Sequence, residues 1–129
     1  MRTPWRTLGP LEPGEQYLAV ATLLRPHRRR SAFPLFAGVR RAGRQAVDAG
    51  ALGFATEARP LARRYRTISV WAGEEDLARF AGSGAHGRLV AELGPSLECV
   101  STARWWIEGP STPEWHDADR HLGDADVSG

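Results

Sequence analysis

The residues best suited to chemistry lie between Arg66 and His86, in the stretch R-T-I-S-V-W-A-G-E-E-D-L-A-R-F-A-G-S-G-A-H. Trp71 closes a strand-like run, Phe80 falls on the apolar side of a short helix, and His86 follows the break Gly82-Ser83-Gly84. They supply an aromatic platform, an apolar wall and one titratable nitrogen to a single pocket. An imidazole with an unperturbed pKa of about 6.5 suits general acid–base catalysis, and it can also ligate haem iron. At the head of a helix the same ring can instead bond a backbone group. Ser83, three residues before His86, shares its rim. Arg104 is of the type that holds a carboxylate, and Trp106 lies on the same strand face. The plain alternatives are a core or interface tryptophan at 71, a core phenylalanine at 80 and a surface cation at 104.

Other constellations carry less. Cys99 sits inside a strand with no helix start beside it, which is a poor setting for a nucleophile. Gly82-Ser83-Gly84 does not follow a strand, so it is no phosphate cradle, and no G-x-S-x-G, P-loop or dinucleotide fingerprint occurs. His116 and His121 stand five apart in W-H-D-A-D-R-H, a weak spacing for ligands, and no metal site is expected. His27 with Arg28, Arg29 and Arg30 forms a basic loop that either draws an anion or is simply solvated.

The elements that must position these groups follow from periodicity. Tyr17 to Leu24 is an apolar run of strand length that ends at Arg25-Pro26. Ser31 is a plausible N-cap for a helix carrying Phe33, Phe36, Val39, Ala46 and Val47 on one stripe, closed by Gly50. Ala51 to Glu57 reads as a second strand. Tyr65 to Ala72 alternates, with Ile68 and Val70 on one face and Thr67, Ser69 and Trp71 on the other. Glu74 to Phe80 is a helix with an acidic first turn, resumed over Ala85 to Leu93 and stopped by Gly94-Pro95. Glu98 to Ile107 is the fourth strand.

The order strand–helix–strand–strand–helix–strand is the split βαβ pattern. It predicts an α+β, ferredoxin-like four-stranded antiparallel sheet with helices on one face. Residues 1–16 form an irregular lead-in, 17–113 the domain, and 114–129 an acidic, disordered tail. The uncovered sheet face would be apolar, which predicts a second subunit across it. Small residues in the helices (Ala37, Gly38, Ala42, Gly43, Ala81, Gly82) leave room for a cavity.

Composition bounds the class. At 129 residues the chain suits one domain. With 42% apolar and 25% charged residues it is a folded globular chain and not a disordered one. Its single cysteine excludes an intrachain disulfide and fits a reducing cytoplasm. No apolar run approaches the ~20 residues of a membrane span, and the proline-bearing N-terminus lacks the apolar core of a secretory signal. Residues 1–66 hold thirteen arginines against four carboxylates, and residues 67–129 four against eleven. This asymmetry suits an anion site or subunit complementarity. Without interleaved aromatics it does not suggest nucleic-acid binding.

The stretch T-I-S-V-W-A-G-E-E-D-L-A-R-F-A-G-S-G-A-H resembles the signature of the antibiotic-biosynthesis-monooxygenase-like dimeric α/β barrel superfamily, nearest its spheroidene-monooxygenase-like group. The closure Trp105-Trp106-Ile107-Glu108-Gly109-Pro110-Ser111-Thr112-Pro113 strengthens the likeness, which covers Tyr65 to Pro113 well and Tyr17 to Glu57 weakly. The resemblance implies a homodimer with a pocket between sheet and helices. It implies a monooxygenase acting on a hydrophobic aromatic or polyene small molecule, either without cofactor or with haem held by His86. Trp71, Phe80, Ser83, Arg104 and Trp106 would bind substrate and His86 would be catalytic. Trp71 and His86 match residues of the haem-degrading members. Those members also use an asparagine on the first strand, and this chain has no asparagine. The rival expectation is a non-catalytic homodimer of the same fold.

Overall fold

The computed structural model describes residues 1–28 and 32–123. Its elements are β1 (Arg6–Thr7), β2 (Gln16–Pro26), α1 (Ala32–Asp48), β3 (Gly53–Arg59), β4 (Arg64–Trp71), α2 (Glu74–Ala81), α3 (Gly84–Leu93), β5 (Leu97–Glu108) and α4 (Trp115–Leu122). The strands form one antiparallel sheet in the order β1-β3-β4-β2-β5. The four long strands and the helices between them make the expected ferredoxin-like core. The expected cap Ser31 and the basic residues Arg29 and Arg30 lie outside the described residues.

β2 is an interior strand between β4 and β5, and its nearly unbroken apolar run has a simple cause: both faces are covered. Leu18 and Val20 pack on one side with Ala46 of α1, Leu77 of α2 and Trp71. Ala21 and Leu23 pack on the other with Ile68, Ala118 and Leu122. α1 ends where Gly50 takes a left-handed φ of 97°, a conformation that suits glycine. α2 starts on Glu74, Glu75 and Asp76, which favour the positive end of the helix. α3 starts on Ser83, whose Oγ accepts the backbone N–H of His86 at 3.2 Å.

Both ends of the chain pack on the sheet, which corrects the expectation for the tail. The tail was expected to be disordered, yet Trp115–Leu122 is a helix with a reciprocal capping box between Glu114 and Asp117. It lies across the face opposite α1–α3, burying Ala118 and Leu122. The lead-in, expected to be irregular, has one two-residue strand, Arg6–Thr7, and runs along β3. Thr3 donates to Thr56 O at 2.9 Å, and Ala58 donates to Met1 O at 2.8 Å. Trp5 lies on Gly53 so closely that a Cβ there has no space. The second face is therefore covered within the chain, and the argument for a partner across it loses its premise.

A buried ion network fastens this cover. Glu57 and Arg66 are each 1% exposed and bond at 2.8 Å. Arg66 also pairs with Asp119 of α4, and Arg2 reaches Glu57 at 2.6 Å. Trp115 lies under the Arg2 and Arg66 guanidinium groups. Burial raises the Glu57 pKa, but the bonds from Arg66 and Arg2, with the charge of Arg59, outweigh it and hold the carboxyl at about 2.

Candidate functional site

Between the sheet and helices α1–α3 lies a cavity of about 580 Å³. Its roof is apolar: Val39 and Ala42 of α1, Leu77 and Phe80 of α2, and Leu89 and Val90 of α3. Its floor carries hydroxyls. Thr22 pairs with Thr67 on one side and Thr102 on the other, so strand register sets three threonines in a row across β4, β2 and β5. All three line the cavity, with Ser69 and Arg104 two residues further along their strands. On the cavity side no helix among the described residues covers the outer strand β5, and Val100, Thr102 and Arg104 are exposed there.

His86 lines this cavity from the first turn of α3. Its ring sits 4.5 Å from the Phe80 ring, which in turn stacks on Trp71 at 5.1 Å. Its Nδ1 is buried without a hydrogen-bond partner. Burial pushes the imidazole pKa below 6.5, since a charged ring is poorly solvated there. The group is therefore a neutral imidazole at pH 7, with one lone pair and one N–H.

Trp71 is fully buried and does not line the cavity. It stands behind the wall, supporting Phe80 and donating its indole N–H to Ser69 Oγ at 2.8 Å. That bond occupies an acceptor site on Ser69, a residue periodicity had placed only as a strand position. Ser83 is the cap of α3 and is not part of the lining. Trp106 pairs with Leu18 on the sheet and stays 53% exposed, outside the lining. Trp105, on the opposite face, stacks on His121 of α4 at 4.3 Å. Phe80, Arg104 and His86 thus meet at the cavity, whereas Trp71, Ser83 and Trp106 surround it.

Gly38, Ala42 and Ala81 line the cavity, and two of the helical glycines also make room for neighbouring side chains. A Cβ on Gly38 would stand 2.6 Å from Leu93 Cδ1, and one on Gly43 would stand 2.8 Å from Phe54 Cε1. His116 joins Glu114 and Asp117 in an exposed cluster far from the cavity lining.

Haem does not fit these residues. A histidine ligand is ordinarily oriented by a partner on its second ring nitrogen, and His86 Nδ1 has none. Among the described residues Arg104 is the lining's only cation, too few for two propionates, and Glu98 shares the lining.

No protein-family model matches the chain, and no curated protein matches it. Solved structures do. A candidate antibiotic biosynthesis monooxygenase from Caulobacter crescentus is 12% identical with a TM-score of 0.61, over 77% of this chain and 94% of that one. One from Nitrosomonas europaea is 10% identical with a TM-score of 0.64, over 78% and 98%. The chain has the fold of the antibiotic-biosynthesis-monooxygenase-like ferredoxin proteins. A dimeric ferredoxin-like protein of unknown function from Thermobifida fusca, 13% identical, superposes with a TM-score of 0.56 over 77% and 98%. At these identities the likeness is one of fold. No helix among the described residues is long and apolar enough to cross a membrane.

Proposed function

We propose that this protein is a cofactor-free, cytoplasmic monooxygenase-like enzyme for a flat hydrophobic molecule bearing oxygen substituents. The observation that carries the reading is a neutral, unpartnered imidazole facing an apolar cavity with a hydroxylated floor. His86 takes a proton from an acidic O–H or C–H of the substrate. The anion then reduces dioxygen directly. One oxygen atom enters the substrate and the other leaves as water with two substrate hydrogens. Ser69, its oxygen already accepting from Trp71, has its own O–H free to donate to the developing oxyanion, and Arg104 supplies positive charge. Phe80 and the roof exclude water.

The hydroxyl row favours an oxygenated aromatic over the polyene that the spheroidene-monooxygenase-like likeness suggests, because a hydrocarbon chain offers these groups no partner. The test is oxygen uptake with a naphthoquinol as probe. Turnover that falls at least about a hundredfold in His86→Ala supports general base catalysis. Turnover equal to the spontaneous rate in the wild type leaves the non-catalytic binding protein as the reading. A hemin titration gives an independent check: a saturable Soret band abolished in His86→Ala would restore the haem reading.

A further inference from the structure

The arginine excess of residues 1–66 plays no part in the first cavity, where Arg104 is the one arginine in the lining among the described residues. Part of that excess gathers at a second cavity of about 510 Å³, between α1, β3 and the N-terminal segment. Phe36, Arg40 and Arg44 recur every four residues along α1, which sets them on one face of the helix. Arg6 stands opposite Phe54 in the β1–β3 register, so both side chains project from the same face of the sheet. Val39 and Phe54 line both cavities and form the partition between them.

Two independent observations point to an anionic occupant. The first is uncompensated charge. Arg6, Arg40 and Arg44 are exposed, and among the described residues no carboxylate pairs with any of them. Like charges four apart on a helix repel each other. Glu57 borders the cavity, but its carboxylate is turned to the opposite face of the sheet, where Arg66 and Arg2 hold it. The second is an unused hydroxyl. Tyr65 is 1% exposed, lines this cavity and not the first, and its hydroxyl has no hydrogen-bond partner. Burial raises its pKa, so the phenol keeps its proton at pH 7 and has a hydrogen bond to donate. A buried hydroxyl left unpaired is unfavourable, and a ligand oxygen would relieve it.

We propose that the second cavity binds an aryl phosphate monoester with an oxygen acceptor at the far end of its ring. Burial orders the groups that would hold it. The exposed arginines meet the phosphate at the mouth, Phe36 and Phe54 flank the ring, and the buried Tyr65 hydroxyl donates to the far oxygen. Three unpaired guanidinium groups match a dianionic phosphate better than a single carboxylate. The site is distinct from the cavity that His86 faces, and the inference stands whether or not that cavity is catalytic.

Isothermal titration of the full chain with methylumbelliferyl phosphate tests it, because this probe carries a phosphate at one end and a lactone carbonyl at the other. Saturable binding tighter than about 1 mM is expected, and inorganic phosphate is expected to bind far more weakly. The double variant R40A/R44A should weaken binding at least about tenfold. Tyr65→Phe should weaken it about fivefold, yet leave unchanged the affinity for naphthyl phosphate, which lacks the far oxygen. The same variant should lose nothing in urea unfolding, since its hydroxyl has no partner to lose. His86→Ala and Arg104→Ala should bind the probe as the wild type does, and circular dichroism checks that each variant folds. Absence of saturable binding overturns the proposal, as does binding indifferent to R40A/R44A or to Tyr65→Phe. Loss of binding in His86→Ala or Arg104→Ala would put the probe in the first cavity and overturn it equally.

Discussion

Glu57→Gln tests whether the buried ion network holds the second face of the sheet. The carboxylate is 1% exposed and bonded to Arg66 and Arg2. Its descent from the usual 4.5 to about 2 corresponds, at 1.36 kcal/mol per pH unit, to about 3 kcal/mol of native-state stabilisation at neutral pH. The amide also leaves the buried Arg66 with Asp119 as its one remaining carboxylate, and breaking a buried pair costs about 3–5 kcal/mol. We expect the variant to lose about 3–4 kcal/mol in urea unfolding at pH 7. The sign of the pH dependence is fixed, because the folded pKa lies below the unfolded one. The stabilisation is complete above about pH 4.5 and is lost as pH falls toward 2. The gap between wild type and variant should be flat from neutral pH to about 5 and narrow below. Carboxylates common to both proteins cancel in the difference. A gap under about 1 kcal/mol at pH 7 would refute the reasoning, as would one unchanged at pH 3.

Deleting residues 114–129 removes the cover from Ala21, Leu23, Ile68 and Trp105. Burial of Leu122 alone is worth about 1.5–3 kcal/mol, so a clear fall in melting temperature with new binding of a hydrophobic dye is expected. An unchanged melt would mean that α4 is not docked. Ser69→Ala leaves the indole N–H of the fully buried Trp71 without its acceptor, and denaturant unfolding should register a loss of about 1–3 kcal/mol. For turnover, a base whose pKa is lowered by burial is active above that pKa. The rate should therefore hold steady at pH 7 and above and decline only below pH 6.5. An activity that rises as pH falls through that range would exclude a neutral His86 as the base.

The sequence by itself determined the order of the elements, because local chemistry fixes it. Gly50, Gly82-Ser83-Gly84 and Gly94-Pro95 punctuate the chain, and the alternation of Ile68 and Val70 against Thr67, Ser69 and Trp71 assigns the faces of β4 with no tertiary information. It also brought Phe80 and His86 together, since a glycine break between two short helices turns both toward the same sheet. The tertiary structure alone decided what those faces meet. Nothing in W-H-D-A-D-R-H-L says that two small apolar residues, Ala118 and Leu122, will dock, because eight residues make no stable helix without a surface to receive them. Glu57 and Arg66 read as ordinary solvated charges until strand pairing sets them opposite each other beneath α4. The threonine row exists only in the register, as Thr22, Thr67 and Thr102 are far apart along the chain. Trp71 and Trp106 could not be told apart as wall or support by residue type. Burial depends on what crosses above a strand: on the cavity side helices roof the central strands and leave the outer strand bare, so Trp71 is buried and Trp106 is exposed.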